Sequence, residues 1–262
     1  MTNQLKKRLV VIGIGGASCS GKTLLAKHIR RALPEGSNIV HQDDFCPPED
    51  RVPYSAQYPE LQDWDDPETC IMWPEFRSIL SQIHQKGQHD AHASHDHLNK
   101  QVEVGIRSDI FARCTERFRS YIQEQKDLGI ELVWYIVDGF VLYWDKVVVD
   151  NLDIRIFLRV PYGILKTRRE ERQVYVLQHG SVWVDPPNYF EKIVWPGYVK
   201  AHSQIFDGVE TGPVKEEWGP KGKGLHLVEP KDGEEGMTSA FEQTCDAIME
   251  QCQNGAGRVM SA

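Results

Sequence analysis

The sequence predicts an α/β fold in which a central, mostly parallel β-sheet is flanked by helices, giving three layers. Strand-like apolar runs alternate with helical runs along the chain, a pattern typical of parallel sheets with crossover helices. The runs at 8–14 and 131–137 are both apolar, and the second suits the centre of a sheet. The first of them leads through a glycine-rich loop into a helix. We expect a single domain over residues 1–252 and a disordered tail over 253–262.

Each element is predicted from its local pattern. Strand patterns occur at 8–14, 38–40, 131–137, 154–160 and 225–228. Helical patterns occur at 22–33, 67–86, 108–128, 164–173 and 238–251. The second helix is expected to begin at Pro67 with Asp66 as its N-cap, because proline is favoured in a first helical turn.

Three segments interrupt this alternation. Residues 46–66 contain two adjacent prolines and are rich in Pro, Tyr, Gln and Asp, so we expect an irregular segment beside a site. A polar insertion at about 87–107 holds four of the ten histidines. It is either a mobile surface insertion or, through its alternating His and Asp, a metal-binding tract. Residues 208–223 are turn-rich and expected to be exposed.

Composition and charge exclude several function classes. The 262 residues carry a net charge of −8, whereas nonspecific nucleic-acid binding needs a basic surface. No apolar stretch approaches the roughly 20 residues that span a bilayer. The six cysteines are scattered without a C-x-x-C pair and indicate reduced thiols. We therefore expect a cytoplasmic protein, with the nucleus also open, that binds neither nucleic acid nor membrane.

The glycine-rich loop fits the pattern G-x-x-x-x-G-K-[ST]. Backbone N–H groups of such a loop, together with the N-terminus of the next helix, bind a polyphosphate. Lys22 can then reach the β- and γ-phosphates, and the Thr23 hydroxyl can bind Mg²⁺. Cys19 is either a loop-shape residue or a redox site. The order strand, loop, helix predicts a P-loop NTPase-type domain, with these nucleotide-binding residues: Gly16, Ala17, Ser18, Cys19, Ser20, Gly21, Lys22, Thr23 and Leu24.

Carboxylates follow two of the predicted strands, where ligands bind in open α/β sheets. Asp138 follows the run 131–137 and is either a Mg²⁺ ligand opposite Thr23 or a cap of the next turn. Asp43 and Asp44 follow the short second strand. One of them, for which we favour Asp43, is placed to take a proton from an attacking hydroxyl. The alternative is a turn with both side chains in solvent.

Two further patterns carry candidate ligand contacts. Arg168, Arg169 and Arg172 lie on one helical run. They either stabilise transition-state charge over a bound nucleotide or pair with glutamates of the same helix. Trp64 and Asp65 suit a planar ring stacked on the indole, with ribose hydroxyls accepted by the carboxylate, and a cationic ring would gain further. A buried core tryptophan beside a helix cap is the alternative.

These motifs, in this order, resemble the nicotinamide riboside kinases, within the uridine-kinase-like group of P-loop kinases. The resemblance extends from Val10 to Tyr198, which is most of the chain. The residues that carry it are the loop at 16–23, Gln42-Asp43-Asp44-Phe45, Leu61-Gln62-Asp63-Trp64-Asp65, Val137-Asp138-Gly139-Phe140, Pro161-Tyr162, Arg168-Arg169-Glu170-Glu171-Arg172 and Trp195-Pro196-Gly197-Tyr198.

The resemblance implies ATP-dependent phosphorylation of the ribose 5′-hydroxyl of nicotinamide riboside, or also of nicotinic acid riboside, to give nicotinamide mononucleotide in NAD salvage. It implies ATP as co-substrate, Mg²⁺ as cofactor and a lid over about 163–198. The implied roles are catalysis for Asp43 and Lys22, magnesium binding for Thr23, Asp43 and Asp138, riboside binding for Asp43, Asp44, Phe45, Trp64, Asp65 and Arg169, and ATP binding for Arg168 and Arg172.

Two alternatives stay open at this point. A uridine or cytidine kinase would share the phosphate loop, but the Trp64–Asp65 pair and the lack of a pyrimidine signature disfavour it. A catalytically silent, nucleotide-binding regulatory protein is the other. The chain also departs from the family, which often has glutamate at the position of Asp138 and also has tyrosine at that of Trp64.

Overall fold

A six-stranded sheet forms the centre of the molecule. The computed structural model describes residues 5–34, 36–89, 94, 96, 102–172, 174–176 and 182–260. The strands are β1 (Lys6–Gly16), β2 (Asn38–His41), β3 (Ile130–Gly139), β4 (Ile154–Leu158), β5 (Val174–Val176), β6 (Val182–Val184), β7 (Leu225–Val228) and β8 (Arg258–Val259). Five parallel strands lie in the order β2-β3-β1-β4-β7, and β8 pairs antiparallel with β1. The prediction of a central, mostly parallel sheet is confirmed.

Helices cover both faces of this sheet. The α-helices of the described residues are α1 (Lys22–Ala32), α2 (Trp73–Lys86), α3 (Ser108–Asp127), α4 (Lys146–Asp150), α5 (Tyr162–Arg172), α6 (Trp195–His202) and α7 (Gly233–Gln253). Within this described part of the chain, no helix combines the length and the apolar character needed to cross a membrane.

Strand β1 is central because both of its faces are apolar. Leu9 and Val11 belong to one core, whereas Val10, Ile12 and Ile14 belong to the other, and all five are fully buried. Successive side chains of a strand point to opposite faces, so this run needs cover on both sides. Helices α2, α4 and α6 supply it on the first side and α1, α3 and α7 on the second. The three-layer α/β fold is thereby confirmed.

Helix α2 begins later than predicted. Asp66 starts only a single turn, in which its carbonyl accepts the N–H groups of Thr69 and Cys70 at 3.0 and 2.8 Å. The helix itself begins at Trp73. Pro74 explains the break, because it has no N–H to bond the carbonyl four residues earlier and its ring would clash with that carbonyl. The prediction of a helix from Pro67 is therefore wrong for residues 67–72.

The C-terminal segment is also different from the prediction. Instead of a disordered tail from 253, the chain leaves α7 and forms β8, in which Arg258 pairs with Leu9 and Val259 with Arg8. Strand β4 pairs only with the second half of β1, from Ile12 onwards. The first half of β1 would otherwise be an open edge, and β8 covers its unpaired backbone groups. The prediction of disorder is wrong for residues 253–260.

The segment 208–223, expected to be exposed, is anchored in the core by one side chain. Trp218 is 2% exposed and packs edge-on against Tyr143, with ring centroids 6.0 Å apart. The Lys223 ammonium lies 3.8 Å from the centroid of the Trp218 ring. The backbone N–H of Leu225 in β7 donates to the carbonyl of Trp218 at 2.8 Å. This segment is therefore an integral part of the packing on the β7 side of the sheet.

Replacing Trp218 with alanine should lower the free energy of unfolding by about 3–5 kcal/mol, because truncation of a buried tryptophan leaves a cavity. Urea denaturation followed by circular dichroism measures the change. Glu216→Ala, at an exposed position of the same segment, is the matched control and should cost less than about 0.5 kcal/mol. A loss below about 1 kcal/mol for Trp218→Ala would contradict the core assignment.

Candidate active site

The carboxyl ends of three parallel strands meet at one cleft. In the sheet register, Asp138 of β3 lies between Ile14 of β1 and His41 of β2. A cleft of about 940 Å³ opens at this edge. Its lining includes the loop residues 18–23, Leu24, Asp43, Asp44, Trp64, Asp65, Arg168, Arg169 and Arg172. The structure thus brings together most of the side chains that the sequence predicted for the site.

The loop between β1 and α1 has a backbone that requires glycine. Gly21 has φ +91° at the N-cap of α1, and a Cβ on Gly16 would lie 2.6 Å from the carbonyl oxygen of Leu158. Lys22 is buried. The buried Ser20 Oγ has no hydrogen-bond partner among the described residues. Buried donors beside a helix N-terminus fit a polyphosphate anion.

A buried carboxylate connects this loop to β2. Thr23 Oγ1 donates to Asp138 Oδ2 and His41 Nδ1 donates to Asp138 Oδ1, each at 2.5 Å. Burial acts to raise the pKa of Asp138, but the charge and hydrogen bond of His41, with Lys22, lower it below its ordinary value. Burial disfavours protonation of His41, yet Asp138 raises the pKa of His41 to about 9. At neutral pH the pair is therefore a carboxylate and an imidazolium.

Thr23 and Asp138 fit a magnesium ion by their chemistry. Mg²⁺ prefers oxygen ligands, and here a hydroxyl and an ionised carboxylate lie together beside the phosphate loop. Asp43, the third predicted ligand, is exposed on the same cleft. No group of three or more His, Cys, Asp or Glu that could hold a metal occurs among the described residues. Most of the His/Asp tract at 89–97 lies outside them.

Asp43 and Asp44 have different surroundings on the 3₁₀ turn Gln42–Phe45. Asp43 is exposed and lines the cleft. Asp44 is buried and accepts a hydrogen bond from Ser94 Oγ at 3.3 Å, so the alternative of two solvated side chains is wrong. Phe45 is not among the cleft-lining residues, because its ring packs 5.0 Å from that of Phe76 in the core.

Trp64 and Asp65 lie side by side in the cleft wall. Trp64 is half-buried, so it packs on the core and also faces the cleft. Gly197 of α6 lies directly against Asp65, since a Cβ on Gly197 would be 2.4 Å from the Asp65 carbonyl oxygen. Burial raises the pKa of the Asp65 carboxyl to about 6, although the positive charge of Arg169 opposes this shift. The Asp65 carboxylate therefore binds a proton more tightly than an ordinary aspartate does.

The arginines of α5 contact the phosphate loop. Arg168 Nη1 donates to the Cys19 carbonyl at 3.1 Å, and Arg169 Nη1 donates to Ser18 Oγ at 3.0 Å. The acidic partners of these two arginines lie outside α5, at Asp232 and Asp185 respectively. The alternative that these arginines pair with glutamates of their own helix is therefore wrong for both.

A β-hairpin after α5 supplies site residues that the sequence analysis missed. Tyr175 of β5 pairs with Trp183 of β6, and both line the cleft. The rings of Trp183 and Trp64 lie 5.6 Å apart, centroid to centroid, at an interplanar angle of 57°. Asp185 follows β6 and binds Arg169. The available signal was the alternation Val-Tyr-Val and Val-Trp-Val around a short glycine-containing stretch.

The chain is similar to known proteins along most of its length. It is 33% identical over 260 residues to the nicotinamide riboside kinase of Eremothecium gossypii, covering 95% of this chain and 98% of that protein. It is 31% identical over 249 residues to nicotinamide riboside kinase 2 of Homo sapiens, covering 94% and 86%. The solved structure of a sugar kinase from Janibacter sp. HTCC2649 aligns with a TM-score of 0.38 at 12% identity, covering 93% and 98%. No family model matches the chain.

Asp65→Asn should stabilise the protein by about 1–3 kcal/mol at pH 7 and leave its stability nearly unchanged at pH 4. The folded-state pKa of about 6 exceeds the unfolded value of about 3.9, so the wild type loses stability as the pH rises through this window. Urea denaturation at both pH values measures the difference.

The control for this prediction is Asp50→Asn, which removes the same charge at an exposed position and should shift stability by less than about 0.5 kcal/mol at either pH. A destabilised Asp65→Asn variant at pH 7 would show that the buried carboxylate contributes favourable interactions instead of a cost.

Proposed function

The chain belongs to the nicotinamide riboside kinase family, and from that premise we propose that it transfers the γ-phosphoryl group of ATP to the ribose 5′-hydroxyl of nicotinamide riboside. The product is nicotinamide mononucleotide, an intermediate of NAD salvage. One observation carries the proposal: a single cleft contains a phosphate loop, an exposed aspartate and two tryptophans. A kinase that acts on a nucleoside with a planar ring needs these features together.

The donor half of the site is formed by the phosphate loop and α5. The backbone N–H groups of the loop bind the ATP phosphates, and Lys22 neutralises charge on the β- and γ-phosphates. Arg168 and Arg172 line the same cleft and stabilise charge that develops on the transferred group. The contact of Arg168 with the loop carbonyl of Cys19 supports this role, because it brings the guanidinium to the phosphate side.

The acceptor half lies around Asp43. Its exposed carboxylate accepts the proton of the 5′-hydroxyl as that hydroxyl attacks the γ-phosphorus. Asp65 accepts hydrogen bonds from the ribose hydroxyls. The positively charged nicotinamide ring stacks on Trp64 with Trp183 beside it, and aromatic faces favour a cationic ring over a neutral one.

Magnesium, when bound, neutralises charge on the ATP phosphates during transfer. Thr23 and Asp138 would hold it, and Asp43 would be a third ligand on the acceptor side of the site. The hydrogen bond from His41 supports this assignment, because it fixes one Asp138 oxygen and keeps the carboxylate ionised. The aspartate at position 138 is shorter than the glutamate that is frequent in the family, which favours an interaction of Asp138 with the ion through water.

We also infer a cytoplasmic or nuclear location. All six cysteines are free in the structure, including the half-exposed Cys19 and Cys46 beside the cleft. Such thiols remain reduced in these compartments.

With ATP and Mg²⁺, the purified protein should phosphorylate nicotinamide riboside with a kcat/KM at least about tenfold above that for uridine, because the tryptophan faces favour the cationic ring. A coupled assay of ADP release measures both substrates. Ready phosphorylation of uridine with no reaction of nicotinamide riboside would overturn the proposal, and so would a protein that releases no ADP with either.

Asp43→Ala should lower kcat by about 10²- to 10⁴-fold, because the attacking hydroxyl loses its general base. Affinity for ATP, measured by calorimetry, should stay within about threefold, since Asp43 lies on the acceptor side. Asp50→Ala, at an exposed position on the same segment, should leave both quantities unchanged. Near-wild-type turnover of Asp43→Ala would rule out this residue as the base.

A further inference from the structure

The Asp185 carboxylate is shared by the two halves of the cleft. Its Oδ2 accepts a hydrogen bond from Arg169 Nε at 2.6 Å, and its Oδ1 accepts from Arg169 Nη2 at 3.0 Å. The same Oδ1 accepts from Trp183 Nε1 at 2.8 Å. Asp185 is thus bonded at once to an arginine of α5 and to a tryptophan of the β5–β6 hairpin.

The arginine end of this connection reaches the phosphate loop. Arg169 Nη1 donates to Ser18 Oγ at 3.0 Å, and the guanidinium carbon lies 4.4 Å from the centroid of the Tyr175 ring. The Arg169 side chain is 7% exposed and that of Asp185 is 16% exposed. A bidentate, buried arginine–carboxylate pair fixes the plane of the guanidinium more strictly than a single ion pair does. Asp185 therefore sets the orientation in which Arg169 meets the loop.

At the other end of this connection, Trp183 belongs to the part of the cleft wall where the proposed function places the ring of the substrate. Trp183 faces Trp64 across 5.6 Å, centroid to centroid. Trp183 also packs edge-on against Tyr189, with ring centroids 5.5 Å apart. The hairpin strands themselves have three residues each, and their outer valines are exposed. The exposed fractions are 47% for Val174, 59% for Val182 and 57% for Val184. A hairpin this short is only marginally stable alone. The contacts of Trp183 with Asp185 and Trp64 therefore help to hold it in place.

We propose that Asp185 is a positioning residue. It couples the binding of a substrate ring at Trp64 and Trp183 to the placement of Arg169 at the phosphate loop. A ring that packs against Trp183 fixes the indole, the indole N–H fixes the carboxylate, and the carboxylate orients the guanidinium toward the reacting phosphoryl group. The inference rests on the proposed function, since it needs the ring at the tryptophans and the phosphates at the loop.

The test is a double-mutant cycle between Asp185→Asn and Trp183→Phe, with nicotinamide riboside and ATP as substrates. Asparagine keeps the shape but loses the charge and one acceptor, and phenylalanine keeps an aromatic ring but loses the indole N–H. Asp185→Asn should lower kcat by about 10- to 100-fold and raise the KM for the riboside, while the KM for ATP stays within about threefold. Trp183→Phe should lower kcat several-fold in the wild-type background.

Coupling predicts that the two changes are not additive, so that Trp183→Phe has almost no further effect on kcat once Asp185 is asparagine. Asp185→Glu should recover part of the loss, because it restores a carboxylate. Glu170→Gln, which removes an exposed charge beside Arg169 in the sequence, is the matched control and should leave kcat unchanged.

Additive effects, or an Asp185→Asn variant that loses thermal stability but keeps its kcat, would overturn the proposal and assign Asp185 a structural role only. Turnover of nicotinamide riboside by the wild type is measured first. Its absence would refute the proposed function itself, whereas the ratios between variants test Asp185.

Discussion

The site depends on the parallel pairing that places the carboxyl ends of β1, β2 and β3 at one edge of the sheet. The loop that follows β1 can meet Asp138 only because β1 and β3 are neighbours in this register, and the result is the 2.5 Å bond between Thr23 Oγ1 and Asp138 Oδ2. A slip of one residue between the strands would move these atoms apart by about 3.3 Å. The apolar character of both faces of β1 thus determines the position of the donor half of the site.

Because the strand ends meet at one edge, several charged side chains are buried close together there and need compensating contacts. Buried charged groups that line the cleft are Lys22, His41, Asp44, Asp65 and Arg169. The buried Asp138 contacts two lining residues, Thr23 and His41. Asp138 is stabilised as a carboxylate because His41 and Thr23 bond to its two oxygens. Asp65 differs, since burial raises its pKa to about 6 in spite of Arg169. A carboxylate that costs stability and faces a cleft is typical of a ligand site, where a bound hydroxyl offsets the cost.

The sequence predicted those features that depend on local pattern. The spacing from Gly16 to Thr23 and the long apolar runs identified the phosphate loop, the central strands and the three layers. It missed the β5–β6 hairpin, because strands of three residues are too short to show a period, and with it Trp183 and Asp185. It also missed β8 and the start of α2, which depend on the open edge of β1 and on Pro74. These features arise from tertiary contacts or from single residues that override a longer pattern.

The central claim is that one cleft holds both substrates, with the riboside ring at the tryptophans and its 5′-oxygen at Asp43. A crystal structure with a non-hydrolysable ATP analogue, Mg²⁺ and nicotinamide riboside tests it most directly. The account predicts the 5′-oxygen within about 3.2 Å of the Asp43 carboxylate, the triphosphate in the loop at 16–23 and the ring stacked on Trp64 beside Trp183. A riboside bound away from the tryptophans, or with its 5′-oxygen directed away from the γ-phosphate, would contradict it.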